Sequence, residues 1–309
     1  MGRRGRRLNI QTNMTDDIYI TDVVKGNNLM ATKFAFIGSG VMAEAMIAGL
    51  LKKKPVRPEQ IVASHPRANR RDELCDKYKI RVFEHNVDAV RSTQDSETAM
   101  VLLCVKPQRL PAILRELKGV VESEQLVLSI VAGAKMETVS AQLENRKIIR
   151  AMPNTPAQIG RGITAWTCTD EVSEYERSHV KDLLTALGRE LFVETENMID
   201  MATSLSATGP TYIFLVMEAL TDAGVHMGFS REMAKDLVQE TMLGSVLFAI
   251  ESHKHPAELR NMVTSPGGTS AAAIYEMEKG SLRTVLSKAV YAAYQRAEAL
   301  GQGGKRIEN

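Results

Sequence analysis

Lys33-Phe34-Ala35-Phe36-Ile37-Gly38-Ser39-Gly40-Val41-Met42-Ala43 is the stretch that decides the fold. Phe34 to Ile37 is a short apolar run of strand type, and a helical pattern runs from Val41 to about Lys53. Between them stands Gly-x-Gly-x-x-Ala. Gly38 permits the tight turn, Gly40 lets backbone amides approach a pyrophosphate, and the small Ala43 lets the helix pack closely on its strand. The N–H groups and dipole of that helix face the anion. A glycine pattern alone is weak evidence. Its place between a strand and a helix makes it a dinucleotide site formed by Ile37, Gly38, Ser39, Gly40, Val41 and Met42.

Outward from this unit, strand-like runs recur at Gln60–Ser64, Ile80–Phe83, Met100–Val105, Leu126–Val131 and Lys147–Ala151, separated by segments long enough for helical crossovers. Gly162–Cys168 and Glu190–Val193 add two more. Such alternation predicts an α/β domain over 31–198, a Rossmann-type doubly wound and mostly parallel sheet. Ligands of such sheets collect at the carboxyl ends of the strands. Three segments fall there. After Ser64, where an NAD-preferring domain carries an acid, the chain has His65-Pro66-Arg67-Ala68-Asn69-Arg70-Arg71. Those donors suit the 2′-phosphate of NADPH, with NADH as the lesser alternative; the competing reading is that the arginines, Arg71 above all, only solvate the next helix. Val105-Lys106-Pro107 ends its strand beside the cofactor, with Lys106 either a ligand or a rim charge. Met152-Pro153-Asn154-Thr155-Pro156 offers Asn154 as donor and acceptor, or is a plain loop.

Beyond Met198 the apolar period turns helical and strands cease, which predicts an all-helical domain over 199–309. Pro210 suits a first helical position, followed by a stripe of Tyr212, Leu215, Val216 and Ala219; Ala234, Leu237, Val238, Met242 and Val246 repeat it. These methionine-rich stripes read as core or subunit interface rather than a cofactor box, and long apolar helices in a small domain imply a homodimer or higher homo-oligomer. Ser265-Pro266-Gly267-Gly268-Thr269-Ser270 precedes an alanine-rich helix. Free amides at Gly268, Thr269 and Ser270, with the hydroxyls of Ser265 and Ser270, suit a carboxylate; as helix capping alone the pattern is ordinary. Upstream, His253 is a substrate-facing candidate, His255 reads as structural, and no spacing suggests a metal site.

The chain of 309 residues carries 39 Lys plus Arg against 37 Asp plus Glu, a net charge of +2 that argues against a nucleic-acid partner. No apolar run is long enough to span a membrane. Cys75, Cys104 and Cys168 are widely spaced, which fits a reducing, cytoplasmic setting, with Cys104 a buried hydrophobe. Residues 1–30 read as a disordered or non-native extension: basic, without the apolar stretch of a secretory signal. An organellar transit peptide fits the acid-free start but is interrupted by Asp16, Asp17 and Asp22.

Taken in order, Phe36–Met42, Val105-Lys106-Pro107, Pro153-Asn154-Thr155-Pro156, Ser206-Ala207-Thr208-Gly209-Pro210 and His255-Pro256 followed by Ser265–Ser270 resemble the pyrroline-5-carboxylate reductase family, from about Phe34 to Leu300. The resemblance implies hydride transfer from NAD(P)H to the C=N carbon of 1-pyrroline-5-carboxylate, giving proline, the last step of proline biosynthesis. It places the pyrophosphate on Gly38–Met42, the adenosine ribose or its phosphate on Ser64 and Arg67, and the cofactor's interior on Asn86, Val105, Lys106 and Pro107. Ser265, Gly267, Gly268, Thr269 and Ser270 would hold the substrate carboxylate, with Ser270 the residue closest to catalysis and Asn154 and His253 nearby. Ser270 stands where the family usually has threonine, and His253 where some members have a glutamate near the substrate nitrogen. Two other readings compete. A β-hydroxyacid dehydrogenase needs a helix lysine that Thr208–Asp222 lacks, and a non-enzymatic NADP-sensing module would not need the Ser265–Ser270 turn.

Overall fold

The computed structural model describes Leu29 and residues 31–53, 56–96 and 98–301. One eight-stranded sheet is built from β1 (Thr32–Ile37), β2 (Ile61–Ser64), β3 (Arg81–Phe83), β4 (Thr98–Leu103), β5 (Leu126–Ser129), β6 (Ile148–Met152), β7 (Gly162–Cys168) and β8 (Gly188–Phe192). Their order is β3-β2-β1-β4-β5-β6-β7-β8. Every neighbouring pair is parallel except β6 and β7. The exception follows from chain length: the link 153–161 holds only the 3₁₀ turn Thr155–Ile159, too short for the crossover a parallel pair needs.

Strands β2, β5 and β6 are buried at every position because helices cover both faces of the sheet. On one side Phe34, Phe36, Met100, Leu102 and Ile149 pack with Met46, Ile47 and Leu50 of α1 (Val41–Lys53) and with Val180, Leu183 and Leu184 of α6 (Glu174–Thr185). On the other, Ala35, Ile37, Val101, Leu103 and Val127 meet α3 (Asn86–Arg91), α4 (Leu110–Leu117) and α5 (Met136–Leu143). Helix α2 (Ala68–Tyr78) connects β2 to β3. The expected doubly wound domain is therefore present, with the order reversing between β1 and β4, where such sheets open a crevice.

Several boundaries move. Gln60, expected to begin a strand, ends the 3₁₀ turn Pro58–Gln60 and donates to the carbonyls of Leu29 and Thr32, both at 2.9 Å. Leu29, within the segment expected as an extension over 1–30, is fully buried in the core; the rest of that segment lies outside the described residues. β4 ends at Leu103, two residues before the expected Val105, and β8 begins at Gly188 rather than Glu190. Gly188 has φ +136°, and a Cβ there would stand 2.1 Å from the Gly162 carbonyl oxygen, so only glycine lets this strand pair from its first residue.

The helical half starts with α7 (Glu196–Ala202), slightly before the expected boundary. The stretch 201–224 is not one helix. A π turn at Thr203–Ala207, closed by the Thr208 amide on the Thr203 carbonyl at 2.9 Å, precedes α8 (Gly209–His226). Pro210 lacks an N–H, so a regular helix cannot run through it without losing a bond. α9 (Arg231–Ser252) is capped by Ser230 and packs closely on α8, where a Cβ on Gly224 would come within 2.9 Å of Ala234 Cβ. α10 (Pro256–Met262), α11 (Thr269–Lys279) and α12 (Leu282–Gly301) complete the fold. No described helix is long and apolar enough to cross a membrane.

From α8 onward only Thr221, Gly224, Ala234 and Ala297 are buried within the helices. Leu215, Leu237 and Val246 of the expected stripes are 65%, 54% and 58% exposed, which removes the single-chain core from the two readings of those stripes.

Candidate active site

The crevice begins where β1 ends. Gly38 adopts φ +86°, and a Cβ there would lie 2.7 Å from Val105 Cγ1, so the loop can close on the end of β4 only with glycine. Ser39 is buried and its hydroxyl donates to the Ser64 carbonyl at 2.7 Å. Gly40 caps α1 through its carbonyl, which accepts from the Glu44 amide, and the space where its Cβ would stand is open. The first amides of α1 lack intrahelical partners and are available to an anion. A pyrophosphate therefore fits this loop: donors converge on it, and no side chain fills the space above Gly40.

Ser64 itself is fully buried. Its hydroxyl donates to Asn86 Oδ1 at 2.7 Å and accepts from the Gly38 amide at 3.3 Å, while Asn86 Nδ2 donates to Glu116 at 2.8 Å. In this geometry Ser64 supports the glycine loop from behind. The donor run after β2 also divides. Arg71 is tied to the carbonyls of His65 and Pro66 and to Glu84, in line with a purely local role. Arg70 turns back to Ser39 and Glu44. Arg67, exposed at the N-cap of α2, has no side-chain partner among the described residues. Burial, then the guanidiniums of Arg67, Arg70 and Arg71, depress the His65 pKa below its usual value. The same guanidiniums would attract an added phosphate.

Lys106 is exposed at the start of the 3₁₀ turn Pro107–Arg109, next to Val105. Asn154 is half-engaged by the fold: its Oδ1 accepts from the Ile163 amide at 3.0 Å and holds the start of β7. In the helical half, the Gly268 amide donates to the Ser265 carbonyl at 3.0 Å, Gly267 takes φ +71°, and Gly268 caps α11. The hydroxyls of Ser265, Thr269 and Ser270 make no hydrogen bond among the described residues, so they and the amides of the helix start remain available. His253 is exposed, ending α9 at φ 53°, whereas His255 caps α10 by accepting from the Ala257 amide. Within one chain α11 packs mainly on α12 and the structure does not bond the Ser265–Ser270 turn to the crevice.

Two charged groups carry more of this geometry than the sequence signals. Glu44, in the first turn of α1, accepts from Arg70 at 2.5 Å and from Lys77 and Tyr78 at 2.8 Å each. Arg150 on β6 is fully buried and pairs with Asp200 at 2.5 Å and Glu196 at 3.0 Å of α7, with Lys135 on Asp200 at 2.8 Å. The signal for the first was present: an acid at the start of a helix meant to receive phosphate requires a counter-charge. Arg150 and Asp200 lie too far apart in the chain for any spacing to link them.

Fold and crevice place the chain among the nicotinamide-dinucleotide oxidoreductases, and comparison with known proteins narrows that class. The family model for pyrroline-5-carboxylate reductase dimerisation matches residues 196–300, and that for NADP oxidoreductase, coenzyme F420-dependent, matches residues 33–133. A curated pyrroline-5-carboxylate reductase of Synechocystis sp. is 38% identical over 273 residues, covering 88% of this chain and 100% of that protein. One of Pseudomonas aeruginosa is 39% identical over 275 residues, covering 87% and 98%. The crystal structure of Plasmodium falciparum pyrroline carboxylate reductase with NADP bound superimposes with TM-score 0.79 at 29% identity, over 87% of this chain and 98% of that one. The chain belongs to the pyrroline-5-carboxylate reductase family.

Burial alone would raise the Glu44 pKa, but hydrogen bonds from Lys77, Arg70 and Tyr78 outweigh it and hold it at about 2, against an ordinary 4.5. A depressed folded-state pKa contributes stability above pH 4.5 that is lost as pH falls toward 2. Glu44→Gln should therefore lower the thermal midpoint by about 3–6 °C at pH 7, with the deficit narrowing between about pH 5 and 3. A deficit that is constant over that range in calorimetry would show that the charge of Glu44 is not what stabilises.

Proposed function

We propose that this chain reduces the C=N bond of 1-pyrroline-5-carboxylate with NADPH to give L-proline, as a homodimer or higher homo-oligomer in the cytoplasm. The observation that carries the reading is the joint presence, on a chain matched nearly end to end by curated reductases, of an open phosphate crevice and a turn of unpartnered hydroxyls. NADPH, when bound, supplies the hydride. The protein's own part is to bind and orient. Gly38–Met42 receives the pyrophosphate, Val105, Lys106 and Pro107 border the cofactor, and Arg67 faces the 2′-phosphate. Ser265, Thr269 and Ser270, with the free amides of α11, hold the substrate carboxylate, which sets the ring's place relative to the cofactor. Asn154 and His253 stand at the rim, His253 as the candidate for handling the proton on the imine nitrogen. No nucleophile is needed, because a protonated imine is already electrophilic at carbon and positioning supplies most of the acceleration.

The assembly reading rests on the exposed apolar helices and on the match to the reductase dimerisation model: a second copy covers the apolar faces of the first. Three free cysteines fit a reducing compartment. NADPH is favoured over NADH because, within the run 65–71 after β2, the guanidinium of Arg67 is the one without a side-chain partner among the described residues.

The first experiment follows NADPH absorbance with 1-pyrroline-5-carboxylate, then with NADH and with the six-membered cyclic imine. Rapid oxidation of NADPH with the five-membered ring is expected; dinucleotide binding without oxidation in any pairing would point to the sensor reading. In the same assay Arg67→Ala should raise KM for NADPH about tenfold while moving KM for NADH less than about twofold. Ser270→Ala should reduce kcat/KM for the imine by about tenfold, and unchanged parameters would remove Ser270 from the site. Sedimentation at micromolar concentration should show a dimer or larger, and a monomer would overturn the assembly reading.

A further inference from the structure

Arg70 lies in the first turn of α2, in the donor run that invites assignment to the 2′-phosphate, yet its guanidinium is already engaged on three sides. Its Nε donates to the Ser39 carbonyl at 3.2 Å, Nη2 to Glu44 at 2.5 Å, and Nη1 to Glu73 at 2.8 Å. Ser39 is the middle residue of the glycine loop, and Glu44 sits in the first turn of the helix whose amides face the pyrophosphate site. The Glu44 carboxylate is ionised at neutral pH, and uncompensated it would oppose a second anion at that helix end. Both groups are mostly buried, the Arg70 side chain 14% and the Glu44 side chain 18% exposed, so solvent does little to screen that repulsion.

We propose that Arg70 is a positioning residue for the pyrophosphate: one planar guanidinium fixes the carbonyl of the glycine loop and neutralises Glu44 together, so that α1 can receive an anion despite the acid in its first turn. The proposal rests on the reading of Gly38–Met42 as a dinucleotide site and refines it. Because the pyrophosphate is common to NADPH and NADH, Arg70 serves both cofactors alike, whereas Arg67 distinguishes them. Lysine cannot replace arginine here, since a single ammonium on a flexible stem does not present the fork that spans the Ser39 carbonyl and two carboxylates.

The test is calorimetric titration of the full-length protein, without substrate, with NADPH and with NADH. Arg70→Lys is expected to raise both Kd values by the same factor, about tenfold, with the thermal midpoint of the unliganded protein within about 2 °C of the parent. Hydrogen exchange at residues 38–42 of the unliganded variant should quicken, reporting the loosened loop directly. Lys77→Ala removes an equal charge from the same carboxylate without touching Ser39, and should change both Kd values less than about twofold. Arg70→Gln, with the same expected rise in both Kd values but a thermal midpoint lower by about 3–6 °C because Glu44 loses a charge partner, serves as the second variant. Loss of NADPH affinity alone would make Arg70 a 2′-phosphate ligand and overturn the proposal, as would unchanged affinity for both dinucleotides, or an equal loss in Lys77→Ala. Failure of the unaltered protein to bind either dinucleotide would overturn the cofactor reading itself, and the proposal with it.

Discussion

The pairing of Arg150 with Asp200 and Glu196 is the interaction on which the arrangement of the two halves depends. Arg150 has no exposed surface and Asp200 has 1%, so neither charge has water to fall back on. Removing one partner of such a buried pair costs about 3–5 kcal/mol, which makes the position of α7 against β6 close to obligatory. Lys135, from the loop after β5, completes the balance on Asp200, and the Glu196 carboxylate also accepts the Met136 amide. Around the charges, Met152 and Ile199 close a small apolar core. Everything beyond α7, including the π turn and the long helices, takes its direction from this junction.

Charge is handled in the same way at the other end of the sheet. Glu44 and the basic residues of α2 form a second compensated group, placed behind the glycine loop rather than on its open side. Arg67 is left without a carboxylate partner among the described residues, while Glu44 at the start of α1 is paired with Arg70 and Lys77. The near balance of charges over the whole chain hides this unevenness. A small net charge thus conceals a local run of basic residues after β2.

Much of the sheet was legible from sequence because its central strands are unbroken apolar runs between turn residues. The glycine spacing likewise located the crevice. What escaped depended on partners distant in the chain. Gln60 reads as strand until its amide is seen bridging to Leu29 and Thr32. The hydrogen bond of Ser64 to Asn86, 22 residues on, has no signal in the local sequence. Arg71 was marked in the sequence as the arginine with a local role, but the engagement of Arg70 by Ser39, Glu44 and Glu73 shows only in the folded geometry. The split of the helical stretch at Thr203–Ala207 was marked by Pro210, but the form of the break was not.

The last helix adds a constraint of another kind. A Cβ on Gly133 would overlap Leu300 and Gly301, so the end of α12 lies directly against the loop after β5, and Tyr294 of the same helix reaches Asn197 of α7. The helical half is thus fastened to the sheet where it begins and again where it ends, with both fastenings on the loop that carries Gly133 and Lys135. α8 to α11 are therefore a long excursion of the chain that leaves the sheet and returns to it at one loop, so a change in that loop is felt at both ends of the helical half.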